Sequence, residues 1–302
     1  MPQPSTGPLL FVGCATLDSI ALVQEYPAAD SRTVATDFAM AGGGPAATAA
    51  VAAARAGART AFAGVLGTDE EGDRIIQGLE AEGVDTSAVI RDASVKTGAS
   101  VIVVAAASES RAIVTRPVPP VSFPAGSRFH ELLATAPWVH ADHLGWNAVA
   151  NIPGVHSAEI NISVDAGNPI PSFTPNGIAL YVPTIERLRS EYGESLSPEA
   201  LLRKAMDDGA SAVVATAGSE GAWVLERGGD PIHVPAAPAT IVSTLGAGDV
   251  YHGALLAAVA AGLSLVEAAA FAGRTAAASC AGLDGRSLIP HQTVTPALSS
   301  KP

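Results

Sequence analysis

Short apolar runs alternate with helix-length segments through most of the chain. The runs lie at residues 9–14, 59–65, 138–141, 160–165, 179–182 and 212–216. Continuous apolar runs of this length are typical of strands that are buried on both faces of a parallel sheet. The alternation therefore predicts a single α/β domain over residues 1–302, with a doubly wound, mainly parallel central sheet and helices on both faces.

Two segments show helix boundaries as well as helical composition. Residues 46–56 are Ala-rich, begin after three glycines and a proline, and end at Gly57, a common C-terminal cap. Residues 70–82 follow Asp69, which is a favourable N-terminal cap, and place their large apolar residues on one face. We therefore expect a helix over each segment.

Other stretches depart from the buried-strand pattern. Residues 20–40 alternate irregularly between apolar and polar positions, and residues 99–106 and 112–115 have the composition of two paired strands. This pattern predicts short antiparallel strands outside the main sheet. We expect them to form a small β-sheet lid from two insertions, at about residues 18–40 and 95–117.

The composition agrees with a large folded core. Of the 302 residues, 48% are hydrophobic and 15% are charged, which argues against disorder. The formal net charge of -12 disfavours nucleic acid and acidic membrane surfaces as partners. An anionic ligand would therefore need local help from positive side chains or backbone amides.

Several features favour a cytoplasmic protein without a membrane anchor. Cys14 and Cys280 are too few for a disulfide framework and agree with a reducing compartment. Residues 1–8 contain no basic residue and no long apolar run, so we expect no signal peptide. Residues 254–273 are the best membrane candidate, but Glu267 interrupts them, and we interpret them as a buried helix pair.

The strongest chemical signal is a Gly-rich stretch at residues 243–253. Gly246, Ala247 and Gly248 predict a tight turn into a helix whose free N–H groups attract anions. Asp249 follows within reach of anything held there. Such a pair suits phosphoryl transfer to a hydroxyl, because the amides hold the phosphoryl charge and the carboxylate takes the alcohol proton. The same pattern also marks ordinary helix N-termini, so the residues alone leave both interpretations open.

This stretch resembles the Gly-Ala-Gly-Asp signature of the PfkB, or ribokinase-like, family of carbohydrate kinases. Gly43 and Gly44, followed by Ala-Arg-Ala-Gly at residues 54–57, resemble the family's N-terminal signature. The resemblance extends over residues 12–290, with both signatures in the family's order and spacing. It implies a ribokinase-like fold and an ATP- and Mg²⁺-dependent kinase that phosphorylates a hydroxyl of a small sugar.

The resemblance also implies roles for individual residues. Asp249 would be the catalytic base, and the amides of Gly246, Ala247 and Gly248 would form the anion hole. The implied sugar-binding positions are Asp18, Gly43, Gly44 and Thr48, the last of which stands where many members have Asn. The implied nucleotide-binding positions are Thr216, Gly218, Ser219 and Gly221.

Two further positions differ from the family pattern. Ser243 replaces the Asp at the head of the signature, near the monovalent-cation loop, which leaves activation by a monovalent cation open. Pro183 replaces the Asn of an Asn-x-x-Glu element, whereas Glu186 retains its glutamate and would influence Mg²⁺ through water.

Residues 42–55 and 280–290 look most like the sulfofructose kinase branch of the family, whose members phosphorylate a ketose near its chain end. The tail at residues 285–290 has a family counterpart that closes over the adenine side. In ribokinase-like proteins the lids pair across a dimer. We expect a homodimer here as well, because the lid is too small to bury both faces of its sheet.

Three arginines stand in or beside the expected lid, namely Arg32, Arg111 and Arg116. One explanation is the solubility of an exposed sheet. The other is an acceptor with an acidic group, such as a sulfonated or phosphorylated ketose, whose charge arginines would offset through bidentate hydrogen bonds. Under the second explanation Arg32 and Arg111 bind the substrate.

Other activities stay open as alternatives. The spacing of Gly42, Gly44 and Ala47 also fits a dinucleotide-binding turn and hence an NAD-dependent oxidoreductase, although that motif should follow its strand directly. A nucleoside kinase of the same family and a sugar-binding sensor without catalysis are further alternatives.

Two kinds of site are disfavoured by residue type and spacing. No lysine lies in a Gly-rich loop, so a Walker-type phosphate site is excluded. His140, His143 and His252 match no zinc-ligand spacing, and we expect them to be lone histidines.

Overall fold

The computed structural model describes residues 7–153 and 160–295. Its strands are β1 (Leu9–Val12), β2 (Thr16–Val23), β3 (Asp37–Gly43), β4 (Thr60–Ala63), β5 (Val65–Gly67), β6 (Ile90–Asp92), β7 (Ala99–Ala105), β8 (Ser110–Arg116), β9 (Val139–Ala141), β10 (Ile162–Ala166), β11 (Leu180–Pro183), β12 (Ala212–Thr216), β13 (Ala222–Glu226) and β14 (Ile232–Val234). Its α-helices are α1 (Pro45–Arg55), α2 (Glu70–Ala81), α3 (Arg128–Leu133), α4 (Trp146–Ala150), α5 (Ile185–Tyr192), α6 (Pro198–Asp207), α7 (Ala247–Ala260) and α8 (Leu265–Ser279).

The central sheet is mainly parallel, as the apolar runs predict. In the described residues its strand order is β14-β13-β12-β11-β10-β9-β1-β4. Six strands of this sheet, β4, β1, β9, β10, β11 and β12, run parallel, and β13 and β14 add an antiparallel edge. The parallel strands are short and almost wholly buried, because helices cover both faces of the sheet. The predicted α/β fold is confirmed.

Each face of the central sheet has its own hydrophobic core. Leu9 and Phe11 of β1 lie in the core beneath α1, α2, α7 and α8. Leu10 and Val12 point the other way, into the core beneath α3, α4, α5 and α6. α7 and α8 pack against each other, and α7 also packs against α1. Within the described residues, no helix combines the length and apolar character needed to cross a bilayer.

A separate small sheet has the order β3-β2-β7-β8. Residues paired across its strands share a face, so Ala41, Asp18, Ser100 and Thr115 form one row and Met40, Ser19, Val101 and Val114 form a row on the opposite face. The face with Asp18 is called the inner face here, because its Ile20 and Ile102 pack with Leu245 and Leu283 of the main body. The other face is called the outer face.

The predicted strand at residues 59–65 needs a correction. The apolar run at residues 59–65 is not one strand, because the chain leaves the central sheet after Ala63 and β5 pairs instead with β6. Gly64 lies at the break, and a Cβ there would be 2.6 Å from the carbonyl oxygen of Gly13. The backbone therefore turns where only glycine allows so close an approach.

Candidate active site

Helices α1 and α7 cross closely at Gly253. A Cβ at Gly253 would lie 2.0 Å from the Ala49 carbonyl oxygen, so no side chain fits between the two helices. The crossing brings their N-terminal turns together. A Cβ on Gly246 would lie 3.7 Å from the methyl group of Thr48 and 3.9 Å from a carboxylate oxygen of Asp249. Residues from opposite ends of the chain thus form one site.

The turn before α7 has the form that its glycines predict. Gly246 adopts a left-handed conformation with φ 70°, and a Cβ on Gly248 would meet nothing within 4 Å. The Ala247 amide donates to the Thr244 carbonyl at 3.3 Å, whereas the amides of Gly246 and Gly248 have no backbone partner among the described residues. The free donors lie at the positive end of the helix dipole, which suits an anion.

Asp249 lies in the first turn of α7 with a strongly perturbed pKa. Burial, and then the negative charge of Asp165, raise the pKa of Asp249 to about 7, while His252 acts in the opposite direction. A carboxyl group with this pKa is ionised for much of the time near neutral pH and still accepts a proton readily. Its environment is therefore suited to general base catalysis.

The expectation of lone histidines is wrong for two of the three. His252 Nδ1 lies 3.0 Å from Asp165 Oδ2, and the rings of His252 and His140 meet edge to face with centroids 5.8 Å apart. Burial works to lower the pKa of His252, but the charge of Asp165 raises it above its usual value. The direct nitrogen–oxygen contact indicates an ion pair beneath Asp249. His140 is buried beside it, and burial lowers the pKa of His140 to about 3.

Asp142 connects three elements at the edge of the sheet. Its Oδ2 accepts hydrogen bonds from the amides of Cys14 at 2.8 Å and Ala46 at 3.2 Å. Its Oδ1 accepts from the amides of Leu144 at 2.9 Å and Gly145 at 2.7 Å. This buried carboxylate therefore holds the end of β1, the segment after β9 and the start of α1 in register.

Asp18 lies on the inner face of the small sheet, against the Gly-rich end of β3. A Cβ on Gly43 would be 2.0 Å from Asp18 Oδ2, and Gly44 has φ 89° where α1 begins. Burial raises the pKa of Asp18, while hydrogen bonds with Thr16 and Ser100 and the charge of Arg286 lower it. Its Oδ1 is buried without a partner in the described part of the chain. Such an oxygen suits a ligand hydroxyl.

Arg286 is the site residue that the sequence analysis missed. Its Nε and Nη2 donate to the Thr48 hydroxyl oxygen at 3.0 and 2.8 Å, and Nη2 also donates to the Gly43 carbonyl at 2.9 Å. The structure therefore places this residue of the tail beside Thr48 and Gly43, two of the predicted sugar-binding positions. Gly285 allows it, because a Cβ there would lie 2.3 Å from the Leu245 carbonyl oxygen.

A cavity of about 510 Å³ opens at the N-terminus of α7. All four predicted nucleotide-binding residues line it, namely Thr216, Gly218, Ser219 and Gly221. Thr244, Ala247 and Gly248 line its inner end, and small apolar residues of α8 such as Ala276 and Ala277 line its wall. The volume lies in the range of sites that hold a cofactor, at about 300–1000 Å³.

The predicted substrate-binding arginines occupy different places. Arg111 lies in the inner-face row of Val104 and donates from Nη1 to Thr244 Oγ1 at 3.0 Å, so it contacts the anion-hole loop. Arg116 pairs with Glu71 at 2.9 Å and donates to the Thr97 carbonyl. Arg32 is exposed in the segment between β2 and β3. The structure brings none of them to Asp18.

Glu186 and Ser243, the two positions discussed for metal and cation binding, lie near the cavity and the anion-hole loop. Glu186 is exposed in the first turn of α5, directly after β11, and the preceding Thr184 forms a bridge with Thr216 at the edge of the cavity. Ser243 is buried, and its hydroxyl oxygen accepts a hydrogen bond from the Leu245 amide at 3.1 Å. Ser243 therefore shapes the loop that precedes the anion hole.

Known proteins resemble this chain in sequence and in fold. Residues 8–119 and 171–291 match the model of the pfkB family carbohydrate kinases, which is more than half of the chain. The chain is 28% identical to ketohexokinase of Mus musculus over 92% of this chain and 97% of that protein. It is 26% identical to the bifunctional protein HldE of Pelobacter propionicus over 79% of this chain, but it spans only 52% of HldE.

The fold is also that of a solved structure with bound ligands. The structure of Arabidopsis thaliana ribokinase complexed with ribose and ATP has a TM-score of 0.78 to this chain. The two share 23% sequence identity over 94% of this chain and 96% of the ribokinase chain. This likeness shows a ribokinase-like α/β fold.

Proposed function

Because the chain belongs to the PfkB family of carbohydrate kinases and is thus a phosphotransferase that acts on a sugar hydroxyl, we propose that Asp249 is its general base. The observation that carries this proposal is the position of Asp249. It directly follows Gly248, which lines the cavity, and it lies close enough to Arg286 for the charge of each to shift the pKa of the other, as Arg286 and Asp18 also do. A base between donor and acceptor removes the hydroxyl proton as the oxygen attacks phosphorus.

The free amides before α7 would hold the transferred phosphoryl group. The N–H groups of Gly246 and Gly248 have no backbone partner in the described part of the chain, Gly248 lines the cavity, and the helix dipole adds to their attraction for negative charge. Thr216, Gly218 and Ser219 line the outer part of the same cavity, where we place ATP. The use of ATP favours a cytoplasmic location.

Glu186 is the carboxylate that we propose for a magnesium ion at this cavity. Mg²⁺ keeps most of its water and takes one or two protein carboxylates together with phosphate oxygens. Glu186 makes no ion pair in the described part of the chain and lies two residues after Thr184, which bridges to Thr216 of the cavity, so it would hold the ion through water. When bound, Mg²⁺ neutralises charge on the phosphates.

The acceptor that we propose is a ketose or a ketose derivative. Similarity to a ketohexokinase along nearly the whole chain supports this choice. An acidic ketose such as sulfofructose is one candidate, because Arg286 supplies positive charge near Asp18 and Arg111 supplies it on the inner face of the small sheet. Asp18 would accept hydrogen bonds from the hydroxyls of the sugar through its unpartnered oxygen.

The oxidoreductase alternative fits the glycines less well. A dinucleotide turn needs open space beside its glycines, so that the backbone can approach a pyrophosphate. Here a Cβ on Gly42 would lie 2.5 Å from Arg286 Nη1, and a Cβ on Gly43 would strike Asp18. The space beside these glycines is therefore already filled by side chains. A nucleoside acceptor remains an alternative within the family.

The rate should depend on pH through Asp249. Because burial and the charge of Asp165 raise the pKa of Asp249 to about 7, the base is protonated and inactive at lower pH. We expect kcat/KM for the sugar, measured at saturating ATP, to fall about tenfold per pH unit below about pH 6 and to level off above about pH 8. A flat profile across this range would remove Asp249 as the titrating base.

We also propose that the small sheet is a lid that pairs with a second copy. Its outer face exposes Phe38, Met40, Val101 and Val114, with relative exposures of 62, 52, 58 and 73%. Three of these residues, Met40, Val101 and Val114, lie in one row across three strands. An apolar sheet face of this kind is typical of an interaction surface.

Light scattering tests this pairing. We expect the native chain to have the mass of a dimer at micromolar concentration and Val114→Asp to have that of a monomer, because a carboxylate in an apolar interface is unpaired. Ile232→Asp is the matched control, since Ile232 is 47% exposed but lies on β14, at the edge of the central sheet and not in the small sheet. A native monomer would refute the proposal.

A further inference from the structure

Arg286 has one guanidinium nitrogen that no protein group uses. Its Nε and Nη2 are fixed by the Thr48 hydroxyl and the Gly43 carbonyl. Its Nη1 donates no hydrogen bond within the described residues and lies against Gly42, where a Cβ would come within 2.5 Å. Two of the three nitrogens thus hold the guanidinium group in place, and the third is left available to donate to a ligand.

The carboxylate that faces Arg286 also has an unused atom. Asp18 Oδ1 is buried without a partner in the described part of the chain, and the charges of Asp18 and Arg286 influence each other's pKa. Gly42 makes room for Arg286, and Gly43 makes room for Asp18. Arg286 Nη1 and Asp18 Oδ1 therefore offer one free donor and one free acceptor, which is the pair that adjacent oxygens of a sugar require.

A second arginine holds the segment that carries Arg286. Arg55 Nη1 donates to the carbonyl oxygens of Arg286 at 2.7 Å and Ile289 at 2.8 Å. Its Nε and Nη2 donate to the two carboxylate oxygens of Glu82 at 2.8 and 2.6 Å. The pair is partly buried, with side-chain exposures of 10 and 24%. This bidentate contact with Glu82 fixes the guanidinium group of Arg55, so that its Nη1 holds the backbone of the tail that carries Arg286.

We propose that Arg286 binds the acceptor sugar through Nη1, opposite Asp18, and that Arg55 and Glu82 are positioning residues for it. This inference rests on the proposed sugar kinase function and deepens it. Asp18 accepts a hydrogen bond from one sugar hydroxyl, and Arg286 donates to a neighbouring oxygen of the same sugar. Thr48 holds the guanidinium group, because its hydroxyl oxygen already accepts two hydrogen bonds from it.

A purely electrostatic role for Arg286 makes a different prediction. Its charge alone would offset Asp18 and Asp249, and a lysine at position 286 would then suffice. A lysine cannot hold Thr48 and Gly43 while directing a second nitrogen to the sugar, because its ammonium group lacks the planar fork. The comparison of Arg286→Lys with Arg286→Met therefore separates geometry from charge.

Kinetics of these two variants with D-fructose and D-ribose, at saturating MgATP, test the proposal. We expect both variants to raise the KM of the accepted sugar by roughly 10- to 100-fold and to change the KM of ATP less than about twofold. Arg55→Met should raise the sugar KM by a smaller factor, roughly 3- to 10-fold, because the tail loses its anchor but keeps Arg286. Arg203→Met is the matched control, since Arg203 of α6 forms an exposed ion pair with Asp230 and should leave both KM values unchanged.

The results that would overturn the proposal are distinct from a failure of the kinase assignment. An unchanged sugar KM in Arg286→Met, full recovery by Arg286→Lys, or an equal rise in both KM values would each overturn it. If the wild-type protein turns over neither sugar, calorimetric titration of D-fructose and D-ribose without ATP decides instead. Binding that Arg286→Met abolishes would then support the proposal, whereas unchanged binding, or none by the wild type, would overturn it.

Discussion

Replacing Asp249 with Asn is expected to lower kcat by a factor of roughly 10² to 10⁴, with little change in the affinity for sugar or ATP. Asn keeps the size of the side chain and its place in the first turn of α7, but it cannot accept the hydroxyl proton. The catalytic loss should therefore appear at the chemical step. Single-turnover measurements, in which product release does not limit the rate, would detect it directly.

The same substitution should not destabilise the fold. Burial raises the pKa of Asp249 to about 7, from an unfolded value near 3.8, so the folded protein binds this proton more tightly than the unfolded chain does. Above pH 7 the ionised carboxylate then lowers the free energy of unfolding, and the neutral Asn avoids that cost. We expect an equal or higher Tm at pH 8. Asp230→Asn, at an exposed ion pair with Arg203, is the matched control and should leave kcat unchanged.

Replacing Gly248 with Val is expected to lower ATP-dependent turnover strongly without unfolding the protein. A Cβ on Gly248 meets no protein atom within 4 Å, and the residue lines the inner end of the cavity. A branched side chain therefore fits the fold but fills the space in which a phosphate must reach the amides. Loss of one such anion-binding contact typically costs roughly 10² to 10³ in kcat.

Gly78→Val is the matched control for this prediction. Gly78 is an exposed position in α2, and a Cβ there likewise meets nothing within 4 Å. Its substitution should leave kcat and the KM of ATP unchanged, because it is on a different helix from the cavity. Near-normal turnover by the Gly248→Val enzyme would show that the transferred phosphoryl group does not approach these amides.

Local sequence patterns predicted most of the fold. The buried strands β1, β9, β10, β11 and β12 coincide with continuous apolar runs, since strands covered on both faces need no polar alternation. The beginnings of α1 and α2 followed from their caps, and Asp69 does accept the predicted hydrogen bond from the Gly72 amide at 3.2 Å. The break at Gly64 was missed because composition does not show where a strand changes its partner.

The site was predictable only where one short segment carries the chemistry. Gly246, Gly248 and Asp249 are neighbours in the chain, so their shared turn could be inferred from their spacing. Arg286 and Thr48 are 238 positions apart, and their contact arises only in the folded chain, where the C-terminal tail packs against the start of α1. A charged residue beside a glycine in the C-terminal tail was the one available signal for Arg286.

The ion pair beneath Asp249 shows the same limit. Asp165 ends β10 and His252 lies three positions after Asp249 on α7, so helical spacing places His252 close to Asp249 but gives no indication of its partner. That partner decides the charge state of His252, because the charge of Asp165 raises the pKa of the imidazole. The electrostatic setting of the base is therefore a tertiary property.

The most direct test of the central claim is the sugar-dependent formation of ADP from MgATP by the wild-type protein and the Asp249→Asn variant, assayed together at about pH 8 with a panel of neutral ketoses, acidic ketoses, aldoses and nucleosides. We expect at least one sugar to stimulate ADP formation by the wild type, with phosphorus NMR showing a phosphorylated sugar, and the variant to lose roughly 10²-fold or more of that rate. Equal rates for the two proteins, or no sugar-dependent ADP formation by the wild type, would contradict the claim.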